Sequence, residues 1–118
     1  MAKLLDFNSF EQPTLPIIMK DESRTQLNVT APSEALIEKL DANRDEISKR
    51  LRNVENAKTF RDLLPMYDFA AELISNNKEG IEMNGTDLRY KYNVNYLMLF
   101  AFFVAYMEFI NEIKLSKN

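Results

Sequence analysis

Asp41, Asn43 and Asp45 stand at alternate positions, the spacing of the first three oxygen ligands in a calcium-binding loop. Such a loop also needs glycine at its sixth position and a bidentate glutamate at its twelfth, where this chain has Glu46 and Arg52. The segment also lies inside a stretch of helical periodicity, so no calcium site is expected. Glu34 with Glu38, and Glu108 with Glu112, are four residues apart and share a helix face. Carboxylates can hold two metals inside a helical bundle, but that site draws on Glu-x-x-His pairs, and the chain has no His. Solvated helix faces are the expected reading. Lys49, Arg50, Arg52, Lys58 and Arg61 are a basic cluster with Phe60 as its one interleaved aromatic, short of the repeated aromatics on which single-stranded bases stack. Two glycines cannot build a phosphate cradle.

The absent residue types narrow the chemistry further. With no Cys there is no disulfide framework, thiolate nucleophile or sulfur ligand for zinc. With no His there is no Ser-His-Asp or Cys-His triad, and the commonest general acid–base side chain is missing. The expectation is a protein that is not an enzyme and holds no cofactor or metal. Fifteen Lys and Arg against eighteen Asp and Glu give a net charge of -3. A dedicated nucleic-acid binder has the opposite balance, because phosphate contacts supply most of its affinity. The first residues, MAKLLDFNSFEQP, are acidic and polar where an export signal needs an apolar run. An intracellular location is therefore expected, and the sequons at Asn28 and Asn84 read as coincidence.

At 118 residues the chain fits one domain with a real core. Residues 1–14 read as an irregular arm, with Leu4, Leu5, Phe7 and Phe10 apolar and Pro13 and Pro16 as punctuation. The rest, 15–118, reads as a single helical domain opened by a hairpin. Leu15 to Met19 is one short strand, Lys20 to Ser23 a polar turn, and Arg24 to Thr30 the returning strand. Ala31-Pro32-Ser33-Glu34 marks a helix start. Ile37, Leu40, Ile47, Leu51 and Val54 then form one stripe, interrupted at Arg44. A second helical region spans about 57–77, and Pro65 should kink it or start a fresh helix there. Residues 86–93 fit either a short helix after Thr86-Asp87 or a strand turned at Asn84-Gly85; the helix is favoured. The expected fold class is mainly α: a small N-terminal β-hairpin followed by a bundle of three to four helices.

The final helix, from about Asn93 to Leu115, carries the unbroken apolar run YLMLFAFFVAYM. That run, 96–107, is too short for a membrane span of about twenty residues, so no membrane partner is expected. Leu99, Phe102, Phe103, Tyr106, Phe109, Ile110 and Ile113 form one face, assigned to the core. Leu97, Met98, Ala101, Val104 and Ala105 form the other. Two amphipathic helices and a hairpin cover one such face and leave the second for a protein partner or another copy of the chain. These five residues are the predicted partner-binding positions, and a homo-oligomer is expected.

The order of features resembles a known family. A hairpin ends in LNVTAPSEALIEKL, two helices follow, EGIEMNGTDLRYKY makes a turn, and YLMLFAFFVAYMEFINEIKLSKN closes the chain. Over about residues 13–118 this is similar to the tail assembly chaperones of long-tailed bacteriophages, including prophage copies in Gram-positive bacteria. The Tyr106-x-x-Phe109-Ile110 stretch is the most suggestive part. The resemblance implies a cytoplasmic helper in a bacterial host, which coats the long helical tape-measure protein and brings tail-tube subunits to it, in some cases with a longer frameshifted form. A small oligomeric adaptor or antitoxin-like regulator is the other reading compatible with the same residues.

Overall fold

Two short strands open the computed structural model, which describes residues 13–52 and 60–116, with side chains for 13–49, 61 and 63–113. β1 (Thr14–Ile18) pairs antiparallel with β2 (Gln26–Thr30), with Leu15 opposite Val29 and Ile17 opposite Leu27. Thr14, assigned to the arm by sequence, is thus the first strand residue; Pro13 before it has no regular structure, and residues 1–12 lie outside the described residues. The Asp21 carboxylate shapes the turn by accepting from the Thr25 amide at 2.8 Å and the Thr25 hydroxyl at 2.6 Å. Those two bonds hold the Asp21 carboxyl below the usual carboxylate range, the hydroxyl contributing most.

A two-stranded ribbon is marginal in water, and this one gains a third partner. The Thr30 amide donates to Asn76 O at 2.8 Å, and the Lys78 amide donates to Asn28 O at 3.0 Å. The Asn28 amide and side chain both donate to the Glu79 carboxylate, at 2.7 and 2.9 Å. Since Asn28 and Thr30 turn their backbone groups to this segment, Leu27 and Val29 turn theirs to β1. Pro16, opposite Asn28, therefore faces outward on the β1 edge, which has no strand partner among the described residues. It costs no ladder bond there and removes a donor from an edge open to another chain.

α1 (Glu34–Arg52) starts where the sequence indicates: the Ser33 hydroxyl accepts from the Leu36 amide at 3.2 Å, a side-chain N-cap. Leu40 and Ile47 of the predicted stripe are buried, Ile37 is half-buried and Arg44 is exposed. The side chain of Leu51 and the whole of Val54 lie outside the described residues. Asp41, Asn43 and Asp45 sit within this continuous helix, and the Asn43 side-chain carboxamide donates back to Lys39 O at 2.7 Å. They form no loop.

α2 (Phe60–Ile74) runs unbroken through Pro65, so the fresh helix start expected there does not occur. Pro65 lies one turn from the first described residue of α2, so its missing N–H removes only one bond near that end. The helix stops at Ile74, short of the predicted 77. Asn77 ends it: its carboxamide donates to Ile74 O and Ile81 O, both at 2.8 Å, and accepts from the Ile81 amide at 3.0 Å. Gly80, with a φ of +71°, lets the chain reverse.

Residues 87–91 are helical, as favoured, but with π pitch: the Tyr92 amide donates to Asp87 O at 3.0 Å. The start is set by Asn84, one turn earlier than Asp87. The Asn84 carboxamide oxygen accepts from the Asp87 amide at 2.8 Å, and the Asp87 carboxylate accepts from the Asn84 amide at 3.2 Å. α3 (Tyr96–Ser116) closes the chain. The helix outruns its apolar stretch: Tyr96–Ile113 is long and apolar enough to cross a membrane by length and composition, with a mean hydropathy of 1.5. This corrects the length argument made from residues 96–107 alone.

The molecule is a mainly α plate, 65 × 34 × 19 Å. Its radius of gyration, 16.1 Å, exceeds the roughly 13 Å of a compact chain of this length. Two layers of secondary structure at about 10 Å each fill the short dimension. The core is one cluster from both strands, the helices and the π-turn, with Tyr67, Tyr106, Leu27, Leu73, Leu88 and Leu99 among its most enclosed side chains.

Candidate protein-binding surface

α3 is aimed by its first residues. Asn93 takes a left-handed conformation (φ 56°), and its carboxamide donates to Lys20 O at 3.2 Å, tying the turn to the hairpin. The Asn95 side chain then caps the helix by accepting from the Met98 amide at 3.0 Å. The buried Tyr67 hydroxyl of α2 donates to Val94 O at 2.8 Å. Burial pushes the Tyr67 phenol upward, so it stays a neutral donor.

These anchors rotate α3 so that Leu99, Phe103, Tyr106, Phe109 and Ile110 point into the core, with Phe102 and Ile113 at its margin. The assignment matches the face read from sequence. The Phe103 ring stacks on Phe69 of α2 with centroids 6.3 Å apart, and Phe102, Tyr106 and Phe109 continue an aromatic row along α3. The Tyr106 hydroxyl is buried with no hydrogen-bond partner among the described residues, and desolvation drives its pKa well above the usual phenol value.

The opposite face is open. Leu97 is 63% exposed, Phe100 45% and Val104 44%, and Ala101 between them is exposed as well. Of the five predicted positions, Leu97, Ala101 and Val104 lie on this outer face. Met98 and Ala105 are half-buried on its flank, Met98 packing against the core beside the hairpin. Phe100 belongs to the surface and was assigned to neither face by the sequence reading. The signal for it was available, since 97, 100, 104 and 107 follow the three-four spacing of a helix seam.

Between α1 and α3 this face falls into a groove of about 470 Å³. Leu40 and Ile47 form one wall and Phe100, Phe103, Val104 and Met107 the other, with Arg44 and Glu108 on its rim. A second depression, of about 310 Å³ between α1 and α2, is bordered by Lys39, Glu46, Asp68 and Glu72. Lys39 closes part of it by pairing with Glu72 while its ammonium sits 5.5 Å from the Phe69 ring centroid. Glu34, Glu38, Glu108 and Glu112 are all exposed, and among the described residues no cluster of carboxylates has metal-binding geometry. Of the basic cluster, Lys49 and Arg61 are exposed; the side chains of Arg50 and Arg52, and all of Lys58, lie outside the described residues. Compared with known proteins, the chain matches no family model, no curated protein and no solved structure.

Proposed function

We propose that this chain is a non-catalytic tail assembly chaperone of a long-tailed phage, which sheathes the helical tape-measure protein and brings tail-tube subunits to it. One observation carries the reading: a helix that supplies the aromatic row of the core leaves an apolar stripe of Leu97, Phe100, Ala101 and Val104 in water. An amphipathic client helix recognises such a stripe and groove through anchors at i, i+3, i+4 and i+7. Covering roughly 400 Å² of it returns on the order of 10 kcal/mol before the costs of association are subtracted. The net charge of -3 keeps the protein soluble while the stripe is open. α3 also has the length of a membrane span, but inserting it would strip Leu99, Phe103, Tyr106, Phe109 and Ile110 from the core.

The test is co-expression with the tape-measure protein encoded by the same phage genome, whose long gene is expected immediately downstream. Soluble tape-measure protein should rise several-fold and co-purify with this chain, and Val104→Asp should abolish both effects. A tape-measure protein equally insoluble with and without the chain overturns the proposal.

A further inference from the structure

We infer that in the free protein the outer face of α3 is covered by α3 of a second copy, packed antiparallel about a two-fold axis near position 102. The inference needs only the free chain and does not rest on the tail-chaperone reading. Leu97, Phe100, Val104 and Met107 are spaced three, four and three residues apart, the seam of a two-helix coiled coil. In the antiparallel register that centres this seam, Leu97 of one copy lies opposite Met107 of the other, and Phe100 lies opposite Val104. Every large apolar side chain of the stripe then meets another. Ala101 falls beside the axis, where a small side chain lets the helices approach closely.

Charge selects the same orientation. The first turn of α3 has no acidic residue, so its positive dipole end is uncompensated, while Glu108 stands exposed three turns further on. The antiparallel register sets each Glu108 level with the other copy's first turn. A parallel pair would place Glu108 against Glu108. The seam covers roughly 400 Å² per copy, below a standard stable interface, so the dimer is weak and concentration-dependent. It also gives the 19 Å plate the further layer that α3 lacks.

Sedimentation of the full chain should show 13.8 kDa at low concentration, rising to twice that mass and no further as concentration increases. Val104→Asp should stay monomeric throughout with an unchanged circular dichroism spectrum. Glu108→Lys, a change at an exposed position, should weaken the dimer several-fold at low salt. The chain has no Cys, so single-cysteine variants report geometry directly. Ala101→Cys should form a disulfide-linked dimer on oxidation and Leu97→Cys should not. A wild-type chain that remains a monomer, a mass beyond two copies, Val104→Asp dimers, or equal cross-linking at 97 and 101 would each overturn the inference.

Discussion

Gly85 decides how closely the π-turn can approach α2. Its amide donates to the Asp68 carboxylate at 2.9 Å, and the backbone lies so near that a Cβ would stand 2.8 Å from the Asp68 nitrogen and 3.0 Å from the Tyr67 carbonyl carbon. The Asp68 carboxylate oxygen would be closer still. Backbone atoms in two packed elements cannot yield as the tip of a flexible side chain can. Gly85→Ala should therefore cost about 1–3 kcal/mol, read as a lower urea midpoint with an unchanged slope. The strain falls next to Tyr67, whose hydroxyl holds Val94 O at the entry to α3. Tyr67→Phe leaves that buried carbonyl unpaired and should cost a similar amount, about 1–3 kcal/mol in the same measurement.

The hairpin, the cap at Ser33 and the core face of α3 were legible in sequence because each is written in local periodicity or local hydrogen bonding. The Gly85 approach was not, because it depends on which distant backbone groups the fold brings near. The π pitch was hidden for a related reason. Leu88, Tyr92 and Val94 are all buried, and a wider turn presents them to the core together where an α-turn would rotate one away. The outer face of α3 was legible as apolar, but Phe100 was assigned only when the core fixed the rotation of the helix. Glu79 is an instance of the same long-range dependence: the Asn28 amide and side chain hold its carboxyl below the usual carboxylate range. Its folded pKa lies below the unfolded one, so its contribution is full above the unfolded value and is lost as pH falls through the folded value. The clasp between β2 and residues 76–79 should thus loosen only as pH falls below the usual glutamate range, seen as changing Asn28 and Lys78 amide shifts. Glu79→Gln should remove that pH dependence.

At the scale of the whole molecule, a plate 19 Å thick cannot enclose a helix that is apolar all round, and the two faces of α3 should respond oppositely to substitution. Phe103 is 2% exposed and stacked on Phe69, so Phe103→Ala removes a ring from a packed core and should cost about 3–5 kcal/mol of stability. Val104 is its immediate neighbour but points into water. Val104→Asp places a carboxylate where solvent already reaches, so the monomer should lose no more than about 1 kcal/mol. In any assembled state the same carboxylate is desolvated without a partner, and association should fall by several kcal/mol. Glu38→Lys, a reversal at an exposed position of α1, serves as the control and should leave both quantities within about half a kcal/mol. Urea unfolding and sedimentation on the three variants separate the faces. A Val104→Asp chain that unfolds like Phe103→Ala would mean that the two faces are exchanged. One that folds and associates normally would move the interface off α3, to the hairpin or to the chain before Pro13.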